Sequence, residues 1–173
     1  MDKTEIFLLD ANVFITPHQQ YYRFTFAPSF WNQLNERAQD GRIVSISLAR
    51  NEICRTNEED KKDVLQKWIE DTYDGEFIDV FGDADIVNCY GEVINHIQES
   101  PQYSDAAFNL WANNQTADPW IIATAKAHSC YTVVTCEKGG KRRNNPKIPD
   151  VCDAFSVPYV GIFEMVEDLG IRL

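Results

Sequence analysis

Asp10, Glu52, Asp118 and Glu137 each sit where a short apolar stretch ends or where a helix begins. Asp10 follows Ile6-Phe7-Leu8-Leu9, and Val13-Phe14-Ile15 continues apolar after it. A charge between two buried stretches needs a partner or a metal ion; a turn or helix-cap acid is the plainer alternative. Asp118 precedes Pro119, and proline is tolerated in the first turn of a helix, so Asp118 marks a helix start. An ordinary N-cap is the alternative there. Glu137 closes the run Tyr131 to Val134 through Thr135-Cys136-Glu137, at a strand's carboxyl end, where open α/β sheets bind ligands. Read alone, Glu137 is a solvated loop acid and Glu52 a surface glutamate about one turn into its helix. Asp150 follows Pro149 and suits another helix start, as a fifth acid or as a cap.

Four or five carboxylates at one sheet edge repel one another unless cations neutralise them. Hard oxygen donors favour Mg²⁺ or Mn²⁺. Such a site can activate water and steady the leaving oxygen of a phosphodiester. The sequence therefore predicts that Asp10, Glu52, Asp118 and Glu137 converge, with Asp150 close by, and that Asp10 and Asp118 share one metal.

The elements that must position these acids follow from the apolar pattern. Strands are expected near residues 6, 43 and 131, alternating with helices, and Pro158 to Ile162 suggests a last short strand. Helices are expected over Phe30 to Gln39 with Ser29 as N-cap, after Ser47 as a cap, and over Glu58 to Thr72. Further helices open at Asp83 or Asp85, span Ser104 to Ala112 and close the chain over Phe163 to Leu169. The fold class is α/β: a three-layer α/β/α sandwich with a mainly parallel central sheet, as one domain over residues 1–173. Pro17 to Pro28 is an aromatic-rich connection. Packing accounts for Tyr21, Tyr22, Phe24 and Phe26, and base stacking on an exposed Tyr is the alternative.

The net charge of −11 argues against a protein that coats nucleic acid, because phosphate binding relies on Lys and Arg. It leaves room for a nuclease, whose metal ions reverse the local field. The charge is uneven. Glu70, Asp71, Asp74, Glu76, Asp79, Asp83 and Asp85 form an acidic run that reads as a solvated face. Lys138, Lys141, Arg142, Arg143 and Lys147 form a basic run directly after Glu137, among Gly139-Gly140 and Asn144-Asn145-Pro146. A mobile loop holding a substrate backbone is the functional reading of that run. The five cysteines are odd in number and form no C-x-x-C pair, which reads as reduced thiols in a cytoplasm. The three histidines lack zinc-ligand spacing. No apolar run reaches the ~20 residues of a membrane span, and the start of the chain lacks a signal-peptide pattern.

The combination resembles the PIN-domain ribonucleases. The matching pieces are Leu8-Leu9-Asp10-Ala11-Asn12-Val13-Phe14-Ile15, Asn51-Glu52-Ile53, Ala117-Asp118-Pro119-Trp120-Ile121-Ile122-Ala123-Thr124-Ala125 and Val133-Val134-Thr135-Cys136-Glu137. Lys147-Ile148-Pro149-Asp150-Val151-Cys152 looks like a PIN-like branch of prokaryotic proteins often thought to act as toxins beside an antitoxin. The resemblance covers nearly the whole chain. It implies Asp10, Glu52 and Asp118 as metal-binding, catalytic acids, RNA as substrate, an antitoxin protein as partner and a homodimer. It also implies Asn12 and Thr135 as polar helpers that orient ligands or water. Many members carry Asp where this chain has Glu137, so the longer side chain shifts the metal or leaves one tightly held. A haloacid-dehalogenase-like phosphatase is the alternative enzyme, but such proteins need a second Asp where Asn12 stands. A PIN-like interaction module without catalysis is the non-enzyme alternative.

Overall fold

The computed structural model describes residues 4–173. Met1 to Lys3, where the reading of a missing signal peptide begins, lie outside the described residues. Five strands form one sheet: β1 (Ile6–Leu9), β2 (Ile43–Ile46), β3 (Glu76–Ile78), β4 (Tyr131–Val134) and β5 (Tyr159–Val160). Their order is β3-β2-β1-β4-β5, and every neighbouring pair is parallel. β1 is central: Leu8 lies opposite Val44 on one side and Val133 on the other. Phe7, Leu8 and Leu9 are wholly buried, as a strand covered on both faces requires.

Nine α-helices flank the sheet among the described residues: α1 (Asn12–Thr16), α2 (Pro28–Gln39), α3 (Ser47–Ile53), α4 (Val64–Asp71), α5 (Ala84–Glu99), α6 (Asp105–Trp111), α7 (Ala117–Ala127), α8 (Ile148–Phe155) and α9 (Ile162–Asp168). The architecture is the expected three-layer α/β/α sandwich. Because all strands run the same way, their carboxyl ends share one edge. The chain winds outward from β1 to β3 and then returns to place β4 on the other flank of β1. The point where the winding reverses lies between β1 and β4, and Asp10 and Thr135 follow those two strands directly.

Several local expectations are refined. β3 lies inside the acidic run that reads as a solvated face. Its backbone pairs with β2 through Val44 opposite Glu76 and Ile46 opposite Ile78, at a sheet edge where charged side chains are tolerated. Ser29 is not a cap: α2 starts at Pro28, and the Ser29 hydroxyl donates to the Arg172 carbonyl at 3.2 Å. Ser47 is the first residue of α3, which has no side-chain cap. α4 begins at Val64 rather than Glu58, because Asp63 accepts the Gln66 N–H at 2.7 Å and fixes the start. Asp83 caps α5, accepting from the N–H groups of Asp85 and Ile86.

The aromatic connection is partly helical. α1 runs on through a π-type turn over Pro17–Tyr21. Phe24 then stacks on Trp31, with ring centroids 4.3 Å apart, and Tyr22 meets Phe30 at 4.5 Å. Packing therefore accounts for most of these rings. No helix is long and apolar enough to cross a membrane among the described residues.

α7 carries the site and is buried on nearly all sides. Ala117 and every residue from Pro119 to Ala125 are buried, as expected for a helix apolar all round. Trp120 is the anchor. Its ring stacks on Tyr90 of α5 with centroids 3.9 Å apart, and Phe81 meets it edge-on at 5.0 Å. Trp120→Ala should destabilise the chain by about 3–5 kcal/mol in urea unfolding. Trp120→Phe should cost clearly less, because it keeps a ring on Tyr90 and removes an indole N–H that is buried without a partner.

Candidate functional site

Asp10 is 1% exposed, immediately beyond β1. Its own N–H continues the parallel ladder by donating to the Val134 carbonyl at 3.1 Å, so backbone pairing fixes its position. Among the described residues, neither carboxylate oxygen has a hydrogen-bond partner. Burial drives the Asp10 pKa well above the usual carboxylate range. Asp118, Glu52 and Glu137 push it up further, in that order, and the nearby Ala11 N–H offsets only part of the effect. Ser45, also buried, steadies the strand end beside it: its hydroxyl donates to the Leu9 carbonyl at 2.6 Å.

Asp118 is not the N-cap of α7. Thr116 holds the cap position, and its hydroxyl donates to the Leu110 carbonyl at 3.0 Å instead of capping. Asp118 lies in the first helical turn, where the helix dipole favours an acid. Burial is nevertheless the larger effect, and with the charges of Glu137 and Glu52 it lifts the Asp118 pKa to about 7, against a counter-pull from Lys147. Glu52 lies at the end of α3, a helix short enough to keep it at the same sheet edge. Burial raises its pKa too, opposed by the Ala117 N–H at the start of α7 and by Arg55.

Glu137 is held differently. One oxygen accepts from Lys147 Nζ at 3.0 Å and the other from the Ile148 N–H of α8 at 2.9 Å. Its own N–H donates to the hydroxyl of buried Thr135 at 3.1 Å, which gives that predicted helper a definite task in shaping the turn. Asn12 is exposed at the start of α1, and its carbonyl accepts from the Cys136 thiol at 3.6 Å.

The structure thus brings Asp10, Glu52, Asp118 and Glu137 into one electrostatic group and leaves Asp150 out of it. The Asp150 carboxylate faces the basic loop, accepting the N–H groups of Gly140 at 3.1 Å and Lys141 at 2.8 Å. It closes that loop and is not among the charges acting on Asp10 or Asp118. Lys147 also departs from expectation. It is a half-buried counter-ion of Glu137 rather than one more exposed substrate contact. Nor is the basic stretch free: Asp150 pins one side, and Ser104 pins the other through the Arg143 carbonyl and Asn144. Lys138, Lys141, Arg142 and Arg143 are exposed on this anchored loop, and none forms an ion pair among the described residues.

Ser45 and the Ala117 N–H act at the site without being foreseen, and nothing in the chain's pattern marks them. Lys147 was expected as a substrate contact and Ser104 as a helix start, and neither pattern shows the contacts they make with Glu137 and the basic loop.

Asp10 with its two unpartnered oxygens, together with Asp118 and Glu52, is the donor set a hard cation requires. Among the described residues, no three acidic, histidine or cysteine side chains stand close enough to surround an ion.

A family model described as Domain of unknown function (DUF4411) matches residues 7–173, and the chain belongs to that family. The comparisons found no matching curated protein and no matching solved structure.

Asp118 binds its proton more tightly in the folded chain, with a pKa of about 7 against an ordinary value of 3.8. Its protonation therefore stabilises the metal-free fold fully below pH ~4, and that contribution is lost as pH rises to about 7. Asp118→Asn should remove this dependence. In urea unfolding without metal it should stabilise the chain at pH 8 by on the order of 1–2 kcal/mol and change little at pH 4. Equal effects at both pH values would show that Asp118 is not held among other acids.

Proposed function

We propose that this protein is a metal-dependent ribonuclease of the PIN-like kind, hydrolysing RNA phosphodiester bonds at the Asp10–Glu52–Asp118–Glu137 cluster. One observation carries the reading: a wholly buried carboxylate, Asp10, has no hydrogen-bond partner for either oxygen among the described residues and feels the charges of three further acids. A purely structural acid in that place would be hydrogen-bonded, whereas this one is left to a proton or a cation.

Asp10, Asp118 and Glu52 would hold Mg²⁺ or Mn²⁺. Bound there, the ion supplies positive charge for a phosphodiester oxygen and lowers the pKa of water. The protein's own contribution is placement. β1 fixes Asp10 through its ladder, α7 presents Asp118 from a helix clamped by Trp120, and the Ala117 N–H keeps Glu52 turned to the same edge. Glu137 serves as a brace. With one oxygen on Lys147 and one on Ile148, it ties β4 to α8 and holds Lys147 where its charge acts on Asp118. That fits the departure from the Asp common in PIN domains: a glutamate reaches the Ile148 N–H while its charge still acts on Asp118. The anchored loop holds Lys138, Lys141, Arg142 and Arg143 in place for phosphates beside the acids.

The buried, unpartnered Asp10 also weighs against an inactive interaction module, in which such a group costs stability without return. Asn12 weighs against the phosphatase. The role of toxin in a toxin–antitoxin pair, the antitoxin partner and a homodimer rest on the family resemblance. The five free cysteines support a reducing, cytoplasmic setting.

Cleavage of a labelled RNA with Mg²⁺ or Mn²⁺ tests the proposal. Asp10→Asn should keep the fold and lower the rate by more than the ~10–100-fold that follows loss of a residue merely orienting a metal ligand. Cleavage that persists in a chelator, or that Asp10→Asn leaves intact, would overturn it.

A further inference from the structure

Beside the acid cluster lies a cleft of about 680 Å³, walled by the turn after α1, the end of β4 and the start of α9. Thr135 and Glu137 line it, so it shares one acid with the cluster. Two aromatic rings also line it: Tyr21, 42% exposed, and Phe163, 52% exposed, with centroids 5.7 Å apart. Tyr22, Phe24, Phe30 and Trp31 of the neighbouring segments are consumed by packing, whereas Tyr21 and Phe163 are left facing water. Lys138, the first residue of the basic loop, lines the cleft next to Glu137, and Glu164 lines it beside Phe163.

We propose that the Tyr21–Phe163 cleft is a nucleobase subsite, which takes one unpaired base next to the phosphate presented to the acid cluster. The inference rests on the ribonuclease reading and adds to it what the enzyme grips. Charge sets the polarity of the bound strand. Lys138, next to Glu137, favours a phosphate on the side of the cluster, and Glu164, next to Phe163, disfavours one beside the rings, so the neutral base belongs against the exposed ring faces. Exposed aromatic faces accept any base by stacking. A duplex keeps its bases stacked within the helix and cannot supply one, so the strand bound here is single.

Binding without cleavage tests the subsite. The probe is a fluorescein-labelled oligoadenylate RNA of about six nucleotides, titrated in a chelator so that nothing is cut. Tyr21→Ala and Phe163→Ala should each weaken binding by about 5- to 100-fold, the range expected for one lost base stack, and Tyr21→Phe should bind as the wild type does. The salt dependence should stay unchanged in the aromatic variants, while Lys138→Ala should lower its slope by about one unit. The same RNA with one abasic position in the cleft should bind the wild type as weakly as the intact RNA binds Tyr21→Ala.

Alanine variants that bind like the wild type would overturn the subsite and leave the cleft to a protein ligand. The nuclease reading would then still stand or fall on Asp10→Asn. A wild-type chain that neither binds nor cuts RNA would overturn both.

Discussion

The structure depends on one buried acid without a hydrogen-bond partner among the described residues. Asp10 ends the central strand, where parallel neighbours hold its backbone on both sides, and it is buried with neither oxygen satisfied. A carboxylate in that setting is costly unless something positive completes it. The remaining acids increase the cost, because Asp118, Glu52 and Glu137 all disfavour its charge. The chain therefore concentrates negative charge where burial penalises it most. Lys147 and Arg55 are the cations that act on the group, and Lys147 is committed to Glu137.

Sheet topology explains why the charges meet. A parallel sheet gathers every strand's carboxyl end at one edge, and the reversal of winding opens a crevice between β1 and β4. Asp10 and Glu137 follow those two strands, and Asp118 and Glu52 come from α7 and α3, where the Ala117 N–H at the start of α7 lowers the Glu52 pKa. α8 and the basic loop close the other side. Glu137 accepts the first N–H of α8, and Asp150, in the first turn of α8, returns to the loop at Gly140 and Lys141. Lys141 adopts a left-handed backbone there, at φ 47°. Such a conformation is rare for a residue with a side chain, and the two N–H contacts to Asp150 hold it in place.

The sequence carried the fold because its central strands are uninterrupted apolar runs and its helices keep a clear period. β3 was hidden, since its three residues, Glu76, Phe77 and Ile78, lie within an acidic stretch and an edge strand buries little. The four acids were legible from position alone: Asp10 and Glu137 stand just beyond strand ends, Glu52 on the short helix after β2 and Asp118 in the first turn of α7. Asp150 occupies the same kind of position as Asp118, and pattern does not distinguish them. What separates them is a tertiary fact, the arrival of the loop's N–H groups at Asp150. Lys147 was misplaced for the same reason. Its spacing groups it with Lys141 and Arg143, whereas its side chain folds back onto Glu137 ten residues earlier.

The most direct measurement is the position of Mn²⁺ in crystals grown or soaked with that ion, found by anomalous scattering. A hard cation of this kind bonds carboxylate oxygens at roughly 2.0–2.3 Å. A peak at bonding distance from Asp10 and Asp118, with Glu52 drawn toward it and lost in Asp10→Asn, is the predicted result. Manganese bound elsewhere, with Asp10 still buried and unliganded at a concentration that supports cleavage, would contradict a metal centre at the end of β1.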